Sequence, residues 1–580
     1  MHSIKNFFII IKNLNLLKTF YFFFILSLIS TILEIISIGS ILPLLHLIID
    51  ENFFNKYSTY SYILLEISPL KYIDGNYSTH INYISGLSVV ILTIFIFRFL
   101  FQLFIEWYKF TFIYKLEFLL SNKLFDYFMN SPYQFHLKKN SSSFHRDIQS
   151  DIGYFSATAN AVVTLLIELL VLVGVVSLIL LVQFTSTISA IVILSFFGYI
   201  FLRTTSKLNL KLGTKVHEAS QKRIKYLIEG FQGIKDIIVF NKIKFFTSNF
   251  ILFNKKLTEA KKNHSIVSSI PRLILEILLI LGFLIILFVL ILSDIPIAKS
   301  VPILGFFAAA SFRLTPSCYK IVNSIQRLKF TDKPINNLKN HVVIANSQVD
   351  EEQFQQEIVF ENKLSIKNLN FAFDNKEEVI KNLSLEINEG ETIGIFGESG
   401  SGKSTLINLI MGLFTPNQGN IYSNNNDIFK NPSSWRKNIG YVTQNVFLTD
   451  DKLINNIALG IEEKAIDLKK IESSIANSGL LEFVKNLKNG INNYVGEQGS
   501  RISGGQLQRV GIARALYNDP KILIFDESTS SLDLKTESEI MTNVYKFQKN
   551  KTLIIISHKL DLLKKCDHIY ELKNKKLIKK

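Results

Sequence analysis

A chain of 580 residues is longer than one hydrophobic core supports, so two or more domains are expected. Hydrophobic residues make up 48% and charged residues only 19%, below the roughly 25% usual for soluble domains, which excludes a wholly soluble protein. The net charge of +16 sits mostly between apolar stretches and at the C-terminus, the distribution of cytoplasmic loops rather than of a nucleic-acid surface, and two cysteines exclude a disulfide framework or thiolate metal site.

From the N-terminus, six apolar segments are long enough to cross a membrane: about 19–49, 84–112, 158–182, 186–204, 266–292 and 301–325. Basic residues after the second (Lys115, Lys123, Lys138, Lys139, Arg146) and between Arg203 and Lys262 mark cytoplasmic loops, so both termini are expected in the cytoplasm. These two loops keep a helix-like apolar period, as in 226–235, which predicts long helices continuing into the cytosol and ending in short cross-pieces. The outer loop 50–83 carries one apolar cluster, Tyr62–Ile67, readable as an interfacial helix or as packing against the tops of the spans.

Ionisable residues within the spans need partners. Arg98, Gln102 and Glu106 recur every four residues on one helix face, and Arg272 and Glu276 are also four apart. Two readings stand side by side. Arg98, Arg272 and Arg313 line a substrate cavity for an anionic cargo, or they pair with Glu34, Glu168 and Glu276 to hold the bundle.

Composition changes near residue 330. The expected division is a transmembrane domain over 1–330, a linker over 331–357 that contains Lys333-Pro334, and an α/β nucleotide-binding domain over 358–580. In the last, the apolar strand Thr392–Phe396 leads into Gly397, Glu398, Ser399, Gly400, Ser401, Gly402, Lys403, Ser404 and Thr405, then into a helix from Leu406. Strand, glycine loop and helix are the context a phosphate-binding loop requires: backbone N–H groups turn inward on a phosphate chain at a helix N-terminus. Lys403 is expected to reach the β- and γ-phosphates of ATP and Ser404 to ligate Mg²⁺. Ile522–Phe525 reads as a buried strand ending in Asp526, beside the metal, and Glu527, a general base for a water aligned on the γ-phosphate. Ser503, Gly504, Gly505 and Gln506 open another helix and form a second anion site.

These last four residues resemble the signature of ATP-binding cassette proteins, and the whole chain, six spans followed by one cassette, resembles an ABC exporter half-transporter: an α-helical six-span membrane domain fused to an α/β P-loop nucleotide-binding domain. The resemblance implies an adenine-stacking role for Phe373, a lid role beside the metal for Gln444, a γ-phosphate role for His558, and a functional loop at Ser530–Asp533. It also implies a homodimer in the bacterial inner membrane with two sandwiched ATP sites. Short motifs of the membrane half (Leu33–Ile35, Phe97-Arg98, Pro271–Leu273, Phe312–Ser317) and the outer loop are similar to lipid-linked oligosaccharide flippases of the PglK type. That likeness implies a polyprenyl-diphosphate glycan as cargo; export of a peptide, a lipid A-like lipid or a hydrophobic drug is the alternative.

Overall fold

The computed structural model describes residues 2–49, 58–72, 77–182, 184–292, 297–348, 357–373, 377–527, 542, 545 and 551–580. The chain divides into two compact units, one of residues 1–131 with 138–350, the other of residues 132–137 with 351–580.

The first unit is helical: α1 (His2–Asn13), α2 (Leu17–Gly39), α3 (Ile41–Ile49), α4 (Ser58–Ile67), α5 (Thr79–Asn130), then α7 (Ser141–His145), α8 (Ile152–Val182), α9 (Phe184–Gln232), α10 (Ile234–Val239), α11 (Ile243–Leu292), α12 (Ile297–Phe330) and α13 (Asp332–Gln348). The short α6 (Tyr133–Lys138), between α5 and α7, falls largely in the second unit. With 52 residues, α5 is about 78 Å long at 1.5 Å per residue, more than twice a hydrocarbon core, so it projects well beyond a bilayer as the loop periodicity implies. The same holds for α9 (49 residues) and α11 (50 residues). The cross-pieces are α6 and α10.

Among the described residues, four segments are long and apolar enough to cross a membrane: Leu17–Ile48, Thr79–Asn130, Ser141–Val182 and Ile243–Ile285. The two further expected spans, 186–204 and 301–325, lie on α9 and α12, parts of whose side chains fall outside the described set. The first expected span is two helices, broken at Ser40, with Pro43 in the opening turn of α3, where a missing N–H costs nothing. Helix α8 packs along α12, and α9 along α11. Close approach explains Gly174 on α8, where a Cβ would sit 2.5 Å from Ile35 of α2. The outer cluster Tyr62–Ile67 is helical and packs against the tops of the spans: Leu64 meets Leu47 and Leu87, while Tyr62, Ile63 and Ile67 face outward.

The linker expected over 331–357 is corrected. Its first half is α13, whose Ile335, Leu338 and Val342 recur at helical spacing and are fully buried, and Pro334 is harmless in the first turn. Asn337 also donates to Asp147 (2.9 Å) and Asp151 (3.2 Å), a pair of buried carboxylates in the turn before α8. The boundary between units therefore falls near 350 instead of 330.

The second unit holds two sheets. Antiparallel strands β1 (Lys363–Ala372), β2 (Glu378–Asn388), β4 (Gln418–Ser423) and β5 (Asn426–Asp427) run in the order β2-β1-β4-β5. The six-stranded sheet is ordered β10-β9-β3-β8-β7-β6, with β3 (Thr392–Phe396), β6 (Ile439–Val442), β7 (Ile522–Asp526), β8 (Thr552–Ile556) and β9 (His568–Lys573) parallel and β10 (Lys576–Lys579) antiparallel at the edge. Strands β7 and β8 are buried along their whole length, as strands covered on both faces must be, and apart from Asp526 at the end of one and Thr552 at the start of the other they are apolar throughout.

Candidate functional site

Parallel register lines up the motifs. Val442 pairs with Phe525, Asp526 with Ile556, and Ile395 with Ile556 across the adjacent strand. Gln444, Glu527, Gly397 and His558 follow one or two residues beyond these pairs, so all four emerge at the carboxyl edge of the sheet, where ligands bind in open parallel sheets.

At that edge the side chains converge on Glu527. His558 Nε2 lies 2.6 Å from its Oε1, Lys403 Nζ lies 3.8 Å from the same oxygen, and the Gln444 amide donates to Oε2 at 3.2 Å. Glu527 leaves the strand with φ +48°, left-handed backbone that a β-carbon disfavours, and its N–H donates to the Ile556 carbonyl at 3.1 Å. Strain of that kind persists where the surroundings fix it, and here two neighbouring strands do so.

The phosphate-loop helix is Lys403–Ile410, with Gly402 as its cap at φ +106°. A β-carbon there would be strained by conformation and crowded by Val379 at 3.1 Å. Lys403 is buried and its ammonium bridges the loop, donating to the carbonyls of Gly397 and Glu398 at 2.9 Å each. Burial lowers its pKa, with Glu527 and Asp526 working against that shift. Glu398, Ser399, Gly400 and Ser404 are exposed and Thr405 is half-buried, while the Ser401 hydroxyl is buried without a hydrogen-bond partner. A loop with an orphaned hydroxyl and a lysine closing on its own carbonyls suits a phosphate chain. The hard oxygens of Ser404 and Asp526 suit Mg²⁺. Burial pushes the Asp526 carboxyl up, partly countered by the Tyr441 hydroxyl, which donates to its Oδ2 at 3.1 Å.

Phe373 follows β1 half-buried, edge-on to Phe371 (4.9 Å) and Phe414 (5.5 Å), a firm platform for a flat ring. Ser503 and Gln506 form a capping box at the start of helix Gly504–Tyr517: the Ser503 hydroxyl accepts from the Gln506 N–H at 3.3 Å, and the Gln506 side chain accepts from the Ser503 N–H at 2.9 Å. Their described contacts are with each other, and none reaches the phosphate loop. The loop Ser530–Asp533 lies outside the described residues. Sequence reading missed Tyr441, Phe414 and Gln508, whose amide donates to the Gln444 carbonyl at 2.7 Å.

The three arginines chosen for a cavity separate. Arg98 of α5 pairs with Glu34 of α2 at 2.6 Å and donates to Ser37 at 3.2 Å. Arg313 of α12 also engages Glu34, through Nε and through Nη2 at 3.0 Å, and reaches Glu168 of α8 at 3.3 Å. Ser317 and Lys320 donate to Glu168 at 2.7 and 2.6 Å. Three cations thus share two carboxylates and tie together α2, α5, α8 and α12. Arg272 stands apart, 72% exposed, and among the described residues pairs with Glu276 at 3.2 Å. The stripe on α5 divides too: Gln102 meets Ser30 of α2 at 3.5 Å, while Glu106 turns to Lys109 at 2.5 Å.

Known proteins give the fold a context. Residues 380–530 match the ABC transporter family model. A solved structure described as a bacterial Atm1-family ABC exporter with ATP bound superposes with a TM-score of 0.76 at 18% identity, over 91% of this chain and 95% of that one. The architecture is therefore a helical transmembrane domain joined to an α/β ATPase domain of the ABC type. Among curated relatives, the leukotoxin export ATP-binding protein LtxB of Aggregatibacter actinomycetemcomitans is 40% identical over 209 residues, 36% of this chain and 29% of its own. The alpha-hemolysin translocation ATP-binding protein HlyB of Escherichia coli is 40% identical over 217 residues, 37% of this chain and 30% of its own. The match thus spans about a third of the length of these relatives, a stretch the size of one ATPase domain.

Proposed function

We propose that the chain is one half of a homodimeric, ATP-driven exporter of the bacterial inner membrane, with its ATPase unit and both termini in the cytoplasm. The observation that carries this is the convergence of Lys403, Gln444 and His558 on Glu527 at the carboxyl edge of the sheet. In hydrolysis Glu527 takes the proton of the attacking water, His558 holds the carboxylate and meets the transferred phosphoryl group, and Lys403 exchanges its loop carbonyls for phosphate oxygens. Phe373 stacks on adenine. Ser404 and Asp526, with Gln444 beside them, would hold Mg²⁺, which would offset the charge of the phosphates.

A second copy completes the site. Ser503–Gln506 makes no described contact with its own phosphate loop, so a partner's signature is the natural donor. The turn around α10 supports the same reading: Phe231 near the end of α9, with Val239 and Phe240 at the end of α10, are 74%, 70% and 67% exposed, an apolar tip that needs covering.

For the cargo, the relatives' printed names speak of leukotoxin and hemolysin export, which favours a polypeptide over the lipid-linked glycan implied by the membrane motifs. The glycan remains the second reading because of one observation: three cations share two carboxylates, a surplus positive charge suited to a diphosphate. An apolar cavity of about 340 Å³, lined by residues such as Leu172, Ile179, Leu275 and Phe307, would accept a hydrophobic chain in either case. Proteoliposomes test both readings. ATP-dependent movement of a fluorescent polyprenyl-diphosphate oligosaccharide supports the flippase, movement of a labelled polypeptide supports the exporter, and hydrolysis unaffected by Glu527→Gln overturns the site assignment itself.

A further inference from the structure

Two aromatic residues outside the nucleotide motifs stand at opposite ends of the nucleotide site. Tyr441 lies on β6 and pairs in register with Ile524, two residues before Asp526. From there its hydroxyl takes one of the two Asp526 carboxylate oxygens at 3.1 Å. The ring packs against the core of the unit, so the donor is held by its strand and by its own burial. Phe414 follows the phosphate-loop helix, is buried, stacks parallel on Phe371 (5.3 Å, 3°) and meets Phe373 edge-on (5.5 Å, 86°).

Tyr133 of α6 reaches the second of these. Its ring stacks on Phe414, with centroids 5.9 Å apart and planes 23° off parallel. The segment that carries it, Pro132–Leu137, folds as part of the ATPase unit although α5 and α7 belong to the other. One cross-piece side chain therefore abuts the aromatic stack that carries the adenine platform.

We propose that Tyr441 is a positioning residue for Asp526, fixing the carboxylate that meets the metal, and that Tyr133 sets the placement of Phe414. This rests on reading the site as a magnesium-dependent ATPase. A tyrosine that merely satisfied a buried carboxyl would affect folding without separating metal affinity from nucleotide affinity. A positioning tyrosine does separate them.

The test uses the full chain in lipid nanodiscs with a non-hydrolysable ATP analogue. Mn²⁺ is titrated in and free Mn²⁺ is read by electron paramagnetic resonance, while a fluorescent ATP analogue is titrated separately in EDTA. Tyr441→Phe is expected to weaken Mn²⁺ binding about tenfold, the loss of one hydrogen bond to a charged group, with metal-free nucleotide affinity unchanged. Tyr441→His, which keeps a ring donor, recovers part of that loss, and this rescue excludes general damage to the strand. Tyr133→Ala weakens metal-free binding of the fluorescent ATP analogue and leaves Mn²⁺ affinity in place. Unchanged Mn²⁺ affinity in Tyr441→Phe, or equal losses in both titrations, overturns the proposal; unchanged analogue affinity in Tyr133→Ala overturns the cross-piece arm. A wild-type chain that binds neither the analogue nor Mn²⁺ in its presence instead removes the ATPase reading, an outcome distinct from a normal wild type beside an unaffected variant.

Discussion

Two clusters of the same residue types do opposite work in this molecule. In the membrane unit, Glu34 and Glu168 are buried and every carboxylate oxygen has a cation or hydroxyl on it, supplied by Arg98, Arg313, Ser317 and Lys320 from separate helices. In the ATPase unit, Glu527 also faces Lys403, His558 and Gln444, but the lysine is 3.8 Å away with its nearer bonds to loop carbonyls, and the backbone of Glu527 is strained. The first cluster is closed and acts as a tie between four helices. The second is open on the solvent side, and its donors are the ones proposed to meet a phosphate chain. Charge type alone does not distinguish a brace from a site; what separates them is whether the donors are already spent.

The largest expected effect comes from breaking the open cluster. Glu527→Gln keeps the shape and removes the base, so the ATP turnover rate falls by about 10²–10⁴, while the thermal unfolding midpoint stays where it was. A variant that hydrolyses ATP at the wild-type rate would place the base elsewhere. The closed cluster should respond in the opposite sense. Glu34→Ala strands Arg98 and Arg313 without their shared counter-charge and costs about 3–5 kcal/mol of stability, read as loss of folded protein on denaturant titration in detergent. Adding Arg313→Leu to Glu34→Ala should recover part of that loss. If the single variant is as stable as wild type, the cluster is no brace, and the cavity reading of Arg98 and Arg313 regains ground.

His558→Ala gives the next step down. It removes one group from Glu527 and from the γ-phosphate position, so turnover falls by about 10²-fold with ATP affinity little changed, because binding rests on the loop and on Phe373. A parallel loss in affinity, followed with a fluorescent ATP analogue, would instead assign His558 to ground-state binding.

How much of this the sequence discloses depends on how local each arrangement is. The phosphate loop, the signature cap and the end of β7 are contiguous runs whose glycines, serines and apolar residues dictate their own turns, so their positions and helix starts are legible before any tertiary contact is known. The candidate partners of the buried arginines, Glu34 and Glu168, are legible too, but which carboxylate meets which arginine is not, because a four-residue period names a helix face but not the helix opposite it. Tyr441 and Phe414 carry no motif; they matter only through β6 lying beside β7 and through an aromatic stack assembled from three separate segments. Helix α13 was hidden for another reason: Lys333-Pro334 and a polar stretch look like a linker, and the buried Ile335, Leu338 and Val342 are too few to outweigh them without their neighbours.

The smallest expected effect belongs to Arg272, and it bears most directly on cargo. Its pairing with Glu276 is exposed at both ends, so Arg272→Gln should change stability by less than about 1 kcal/mol and leave basal ATP turnover intact. An arginine so weakly engaged by its own chain retains donors for something else. In proteoliposomes the variant should therefore lose movement of a polyprenyl-diphosphate glycan while still hydrolysing ATP, if the second cargo reading holds. If instead it moves a labelled polypeptide as well as wild type does and neither form moves the glycan, the arginine is only a surface charge. The surplus cation of the closed cluster then belongs to helix packing alone, and the polypeptide reading stands.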